Sequence, residues 1–471
     1  MSESVDSEPP SPTLGVVILA AGQGTRMRSP TPKVLHPLAG RPMVGHVVNV
    51  TRKLKPSIIV LVVSADGDRV VEAAGPNVVK AIQYEQLGTA NAMQAAKEAV
   101  CDRVDGVLMV YGDAALIQEA TLQRMVQMLS QAPLVFLTAE LNDPTGYGRV
   151  LRNETGHVRG VVEDRDASDA EKTIREINSG IMAFDSAWLW QHIDQIPRQP
   201  HGEYYLPDLV AIAIAEGAAV ETVSAESIDE VEGVNTQAQL AYANAVIWQR
   251  ERERLMAGGV TLLAPDTIFI SPGVEVSAGV TIQPNTHLLG STSVGALTEI
   301  GPNSIVRDSQ IGSGCRIIAS MLEEAVVHDN VQIGPFSHLR PGAVILDDVE
   351  LGNYSEVKAS TIGKGTRIHH FSYIGDATLG EDVNIGAGTI TCNYDGTAKH
   401  QTIIGSHAFI GSDSMLIAPV EIGDNARTGA GSVVRRNVAP GQLVVGIPAR
   451  PVPGRPLEPA QAHSMTDKET E

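Results

Sequence analysis

Cysteine is scarce in this chain. Cys101, Cys315 and Cys392 are spread over 471 residues, form no CxxC and cannot all pair. A disulfide framework is therefore not expected, and a reducing, cytoplasmic setting is. Aromatic residues are also few, at 4%. No apolar run reaches the roughly 18 residues that a membrane-spanning helix needs. Basic residues are outnumbered, 35 against 55 acidic ones, for a formal charge of −20. Nucleic acid and anionic membranes both need basic surface, so neither is an expected partner. An anionic substrate must be met by a few local cations. The opening MSESVDSEPPSP lacks the basic start and apolar stretch of a signal peptide. Residues 1–13 and 452–471 read as flexible tails.

What is abundant is glycine, with 45 residues, and hydrophobic content of 43% is ample for real cores. The length suits two domains. From Leu14 to about Glu230 apolar runs at 15–20, 58–63, 107–111 and 134–139 alternate with helix-like stretches at 41–54, 89–100 and 119–130. Such alternation predicts an α/β domain over 14–235 with a mostly parallel sheet covered on both faces, and sites at the carboxyl ends of strands. Residues 236–257 hold no Pro or Gly and stop at Gly258-Gly259, which predicts a linker helix over 236–258.

Beyond Gly259 the rhythm changes to six. Ile268, Val274 and Val280 mark it, then Val294 and Ile300, then Ile305, Ile311 and Ile317. It resumes at Ile362, Ile368 and Ile374, at Leu379 and Ile385, and at Ile404, Ile410, Leu416 and Ile422. A period of six is neither 2.0 nor 3.6; it predicts a hexapeptide-repeat parallel β-helix over 259–451, one aliphatic residue pointing inward per edge. Two breaks, 320–330 and 389–402, read as loops leaving the coil.

Several motifs carry chemistry. The first strand runs into LAAGQGTRMRSPTPKVL, where Gly22 and Gly24 let backbone amides approach a phosphate that Arg26 and Lys33 can neutralise. It is neither a Walker A loop nor the dinucleotide GxGxxG. Asp113 closes a strand in Tyr-Gly-Asp; it is placed to hold Mg²⁺ against phosphates, or else to cap the next helix. Asn235 is equally readable as the N-cap of the linker helix or as a metal ligand. In the coil, His370 falls between inward Ile368 and Ile374 and should face out. With Arg340, Lys358, Tyr373, Asn384, Asn393, Tyr394 and Lys399 it suits an anionic sugar and a proton transfer. Cys392 has no His/Asp set to make it a nucleophile, and His369-His370 lacks metal partners.

At this point the motifs resemble a family. LAAGQGTRM, PKVL, QYEQLGTA, YGD, DPTGYGRV, VVEDRDA, EINSGI, GEYYLPD and VEGVN occur in order over 19–235. LRPGA, GNYSEVK, HHFSYIGDA, NIGAGTITCNYDG and FIGSDSMLIAPV follow. About 440 of the 471 residues take part in this resemblance. It is to the bifunctional N-acetylglucosamine-1-phosphate uridylyltransferases/glucosamine-1-phosphate N-acetyltransferases. It implies a Rossmann-like head, a left-handed coil, Mg²⁺, acetyl-CoA as co-substrate and a homotrimer. Acetyl-CoA would acetylate glucosamine 1-phosphate, and N-acetylglucosamine 1-phosphate would then react with UTP. By matching motif, Leu19, Ala20, Ala21, Gly22, Arg26, Lys33, Gln83, Gly88 and Thr89 would hold the nucleotide. Tyr111, Gly148, Glu163 and Asn178 would line the sugar side, and Asp113 and Asn235 would bind Mg²⁺. In the coil Arg340, Lys358, Tyr373, Asn384 and Lys399 would bind the amino-sugar phosphate, with His370 as base. Asn393, Tyr394, Ser412 and Ala430 would face acetyl-CoA. Two departures stand out: Ala114-Ala115-Leu116 replaces a small residue followed by Pro-Leu, and Ile447 stands where Arg is frequent, with Arg450 nearby. The competing reading is a single-activity sugar-phosphate nucleotidyltransferase with a non-catalytic coil.

Overall fold

The computed structural model describes residues 13–452. The tails read at 1–12 and 453–471 lie outside the described residues. Thr13 and Val452, read with the tails, are both bonded: Thr13 donates through its N–H and its hydroxyl to the Asp105 carboxylate at 2.7 and 2.8 Å, and the Val452 N–H donates to the Leu443 carbonyl at 3.1 Å. The chain forms two compact units, which divide in sequence between Ile247 and Trp248.

The first unit is built on one sheet. Its main strands run in the order Val220–Ser224, Leu134–Glu140, Glu176–Asp185, Gly106–Tyr111, Leu14–Leu19, Ile58–Val63 and Val79–Ile82. All adjacent pairs are parallel except those made by Glu176–Asp185, which runs antiparallel to both its neighbours. Val16 and Ile18 enter the core on one face of this sheet and Val17 the core on the other. Burial on both faces is why these strands read as unbroken apolar runs. Tyr111 ends one central strand and Leu19 its neighbour, in register. Loop residues that follow them therefore emerge side by side.

The long helix, Gln237–Ala257, is shared by the two units. In its first half Asn244 Oδ1 accepts from the Ala39 N–H at 2.7 Å and Tyr242 donates to Asp229 at 2.6 Å. In its second half Arg252 and Arg254 donate to the carbonyls of Pro265 and Val274, and Leu255 joins the coil core. Its N-cap is Thr236, whose Oγ1 accepts from the Gln239 N–H at 3.2 Å. The N-cap reading of Asn235 is thereby corrected by one residue.

The second unit is a parallel coil with three faces. Strands stack on the first face from Thr261–Leu262 onward, on the second from Phe269–Ile270 and on the third from Glu275–Val276. A single column of aliphatic side chains fills it. Each hexapeptide position named above is buried, with one exception: Ile305 is half-buried and its neighbour Val306 is the fully buried residue. Residues 320–330 do not leave the coil. Met321–Glu323 and Val326–Val327 pair with turns on both sides. The turn is merely shorter: Ile317 pairs with Ile333, whereas Ile282 pairs with Ile300. Around 389–402 chain does leave, but later than expected. Ile390–Cys392 stays in the second face, and residues 393–401 form the excursion.

The one-residue slip at Ile305 makes a test of interior register. Ile300→Ala empties a fully buried site and is expected to cost about 2–5 kcal/mol, and Ile305→Ala under about 1 kcal/mol, in urea unfolding of the two variants. Equal losses would contradict the assignment.

Candidate active sites

In the first unit two adjoining cavities, about 350 and 600 Å³, open at the carboxyl ends of the central strands. They share Lys33, Thr89, Tyr111, Asp113 and Tyr205. Leu19, Ala20, Ala21, Gly22, Gln83 and Gly88 line the smaller one. Arg26, Gly148, Glu163, Asn178 and Asn235 line the larger. Every head residue singled out on sequence for nucleotide, sugar or metal binding thus lines this pair of cavities except Gly24, which packs against Lys33.

Glycines shape the smaller cavity in two ways. A Cβ on Gly22 would meet nothing within 4 Å, so its backbone stands open to a ligand. Gly88 has φ +100 and would place a Cβ 2.5 Å from the Tyr204 carbonyl, so a side chain there is excluded by strain and space together. The Gln83 amide donates to Asn91 Oδ1 at 2.9 Å, which fixes its orientation. Gln86 donates to the Ala21 carbonyl at 2.7 Å and pins the glycine loop.

At the junction of the cavities the Lys33 ammonium contacts Asp113 Oδ2 and donates to Asn235 Oδ1 at 3.0 Å. Arg26 donates to the same amide oxygen at 2.9 Å. Asp113 therefore faces a cation rather than capping the next helix, and the Asn235 side chain points the same way. A carboxylate and an amide oxygen converging on one cation are hard donors of the kind Mg²⁺ takes, with water and phosphate completing its shell. No cluster of three or more His, Cys, Asp or Glu suited to a metal exists among the described residues. A two-donor set that relies on substrate oxygens is consistent with that.

The larger cavity is sugar-sized and polar. Asn178, buried, accepts from the Gly180 N–H at 3.0 Å. Gly180 has φ +82, and a Cβ there would strike the Tyr111 hydroxyl. Burial, then the charges of Asp113 and Glu163, push the Tyr111 phenol far up, so it stays a neutral donor. Burial, opposed by Arg165 and aided by Asp208, Asp166 and Asp164, raises Glu163 above the usual carboxylate range. Arg149, buried behind this wall, pairs with Asp164 at 2.9 Å.

In the second unit Arg340, Lys358, Tyr373, Asn393 and Lys399 come together. Arg340 pairs with Glu356 at 2.8 Å. The Lys358 and Lys399 ammonium groups lie against each other, and contact with Lys399, then its charge, depresses the Lys358 pKa. The Asn393 amide donates to Asp376 and, at 3.4 Å, to the Tyr373 hydroxyl. Two ammonium groups in contact are relieved by an incoming anion. His370 is exposed, and its Nδ1 lies 3.3 Å from Asn353 Oδ1. A carbonyl oxygen only accepts, so the neutral ring that makes this contact carries its hydrogen on Nδ1 and its lone pair on Nε2. His370, Ser412 and Ala430 fall on one corner column of the coil. Asn384 does not join them: it sits opposite Arg367, three residues back along the strand that ends in His370. Tyr394 is exposed and donates to the Gly396 carbonyl at 2.6 Å.

Two family models match. The MobA-like NTP transferase domain covers residues 16–174, and the bacterial transferase hexapeptide (six repeats) covers 324–359 and 401–436. Among curated proteins, a "Bifunctional protein GlmU" of Heliobacterium modesticaldum is 43% identical over 91% of this chain and 94% of its own length. One of Kineococcus radiotolerans is 43% identical over 95% and 92%. One of Idiomarina loihiensis is 45% identical over 92% and 95%. The chain belongs to the bifunctional GlmU family. Two GlmU-family departures noted on sequence can now be placed. Ala114, Ala115 and Leu116 are all buried, and Ala114 lines the larger cavity. Ile447 is 78% exposed; Arg450 lies across a short hairpin beside Val445 and donates to the Ala449 carbonyl at 3.2 Å. Tyr147, Arg165, Glu203, Tyr205, Gln86 and Asn353 were missed as individual residues. Each lies inside a GlmU-like motif string, but no residue-type rule marked it out.

Glu163 supplies a pH test. An acid whose pKa is raised on folding is disfavoured once ionised, so its contribution is best at low pH and is lost as pH rises through the raised value. Glu163→Gln is expected to raise the melting temperature at neutral pH, with the gain vanishing toward about pH 4, where Glu is protonated in both states. A lower melting temperature at neutral pH would contradict the assignment.

Proposed function

We infer that the chain makes UDP-N-acetylglucosamine in two steps, acetylating glucosamine 1-phosphate with acetyl-CoA and then transferring UMP from UTP to the product, with release of pyrophosphate. The observation that carries the reading is the presence, in one GlmU-family chain, of both a phosphate-ready cavity pair around Lys33 and a coil that carries a cationic cluster and an exposed His370. No helix among the described residues is long and apolar enough to cross a membrane.

In the head, nucleotidyl transfer needs positioning and charge neutralisation more than covalent chemistry. The glycine loop and Gln83 hold the nucleotide, and Tyr111, Glu163 and Asn178 orient the sugar so that its phosphate faces the UTP α-phosphorus. Lys33 and Arg26 neutralise the phosphates. Asp113 and Asn235 would hold Mg²⁺, which supplies further neutralisation of phosphate charge. With Mg²⁺ held by those two oxygens, the Lys33 ammonium would be left to pair with phosphate.

In the coil, the Arg340, Lys358 and Lys399 cations with Tyr373 hold the amino-sugar phosphate. The His370 Nε2 lone pair takes a proton from the amine as its nitrogen bonds to the acetyl carbon and the CoA thiolate leaves. Asn353 is the positioning residue that keeps the lone pair on Nε2. Asn393, Tyr394, Ser412 and Ala430 form the acetyl-CoA side.

We propose that the active assembly is a homotrimer. Phe336, Tyr354 and Phe371 form an exposed aromatic ladder on the corner next to His370, the first two stacked at 5.3 Å. Exposed aromatics in a row suit an interface. Asn384 lies away from His370 on the same coil, as expected if a second copy completes the site. Light scattering is expected to give about three times 49.9 kDa; a monomer with full acetyl transfer would contradict it.

The two activities are expected to separate. Asp113→Ala should abolish uridylyl transfer and spare acetyl transfer. His370→Ala should lose about 10²–10⁴-fold in acetyl transfer and keep uridylyl transfer from supplied N-acetylglucosamine 1-phosphate. A well-assembled His370→Ala acetylating at the wild-type rate would make His370 a bystander in acetyl transfer.

A further inference from the structure

One buried carboxylate takes no part in the chemistry above. Glu230 is fully buried. Its Oε1 accepts from the N–H groups of Glu226 and Ser227 at 3.0 and 3.3 Å, and its Oε2 accepts from the Gln118 N–H at 3.0 Å. A buried carboxylate is tolerated only when its lone pairs are satisfied, and here three backbone donors do so. The first two contacts are the ordinary capping of the short 3₁₀ turn Ile228–Val231. The third is not local: Gln118 is 112 residues away.

The two ends of this link are the two proposed metal-binding segments. Gln118 lies five residues after Asp113, and Asn235 lies five residues after Glu230. Little slack separates them, because Ala114, Ala115, Leu116, Ile117 and Val231 are all buried. The Val234 N–H also donates to the Asp113 carbonyl at 3.2 Å, closing the loop nearer the site. We propose that Glu230 is a positioning residue that fixes the separation of the Asp113 and Asn235 oxygens and so sets the divalent-cation affinity of the head. The proposal rests on the reading of those two residues as the metal pair.

Glu230→Gln keeps the volume and one acceptor for the capping turn, but presents an NH₂ that cannot accept from the Gln118 N–H. Mn²⁺ is titrated into the purified full chain saturated with UDP-N-acetylglucosamine, whose phosphates complete the metal's shell, and followed by electron paramagnetic resonance. Its dissociation constant is expected to rise about tenfold, the usual effect of removing a support behind metal ligands. The Mg²⁺ concentration for half-maximal uridylyl transfer should rise in parallel, with kcat recovered at excess Mg²⁺ and acetyl transfer unchanged. Glu230→Asp, shorter by one methylene, should show the same shift and serves if the Gln variant does not fold. Ser227→Ala loosens the same turn without touching Gln118. If it weakens Mn²⁺ binding as much as Glu230→Gln does, Glu230 is only structural and the proposal falls. Unchanged Mn²⁺ affinity in folded Glu230→Gln also overturns it. If instead Asp113→Ala binds Mn²⁺ as the wild type does, the metal pair itself is misassigned.

Discussion

A single ammonium group organises the head. Lys33 Nζ meets oxygens from residues 80 and 202 positions away in sequence, Asp113 and Asn235. In a chain of net charge −20, a cation at that point is a local positive centre of the kind an approaching phosphate needs. Everything around it serves to place it. Gly24, at φ +61, would set a Cβ 2.5 Å from Lys33 Cβ, so only glycine lets the lysine backbone come so close. Asp113 is delivered by a central strand in register with Leu19, and Asn235 by the residue before a capped helix. The sheet fixes one oxygen, the helix start the other, and the glycine loop the cation.

The coil meets its anionic substrate by a different constraint. Its turns bring residues far apart in sequence into register, so a corner repeats the same outward position on turn after turn. His370 therefore shares a column with Ser412 and Ala430, and Arg340 and Lys358 share another, on a different corner. A corner column can carry a proton acceptor and a thioester groove, and the next a phosphate site. It cannot wrap a ligand, because the faces are flat. Flat faces are the physical reason the proposed function calls for a second copy of the chain to enclose the substrate, and the aromatic ladder beside His370 is suited to hold one.

Much of this was legible in the sequence because both units obey strong periodicities. The doubly buried strands read as apolar runs, and the six-residue rhythm predicted all but one of the interior residues named. Ile305 failed because it adjoins Val306, and two neighbouring β-branched residues do not say which turns inward; pairing of Val306 with Leu288 and Leu322 decides it. Residues 320–330 were read as a loop because a shortened turn breaks the count as surely as an excursion does. The antiparallel strand Glu176–Asp185 was not among the strands read, since an apolar run carries no direction. In the head the motif residues of the binding set line one pair of cavities, whereas Asn384 in the coil lies apart from His370, and Glu230 and its link to Gln118 had no local signal. A contact across 112 residues leaves no mark in spacing.

The central claim is that one chain carries both chemistries in series. It is tested most directly by supplying glucosamine 1-phosphate, acetyl-CoA, UTP and Mg²⁺ to the purified protein and following thiol, pyrophosphate and sugar nucleotide together. The account predicts one thiol and one pyrophosphate for each UDP-N-acetylglucosamine formed. Pyrophosphate release only when N-acetylglucosamine 1-phosphate is supplied, with no thiol released from acetyl-CoA, would contradict it.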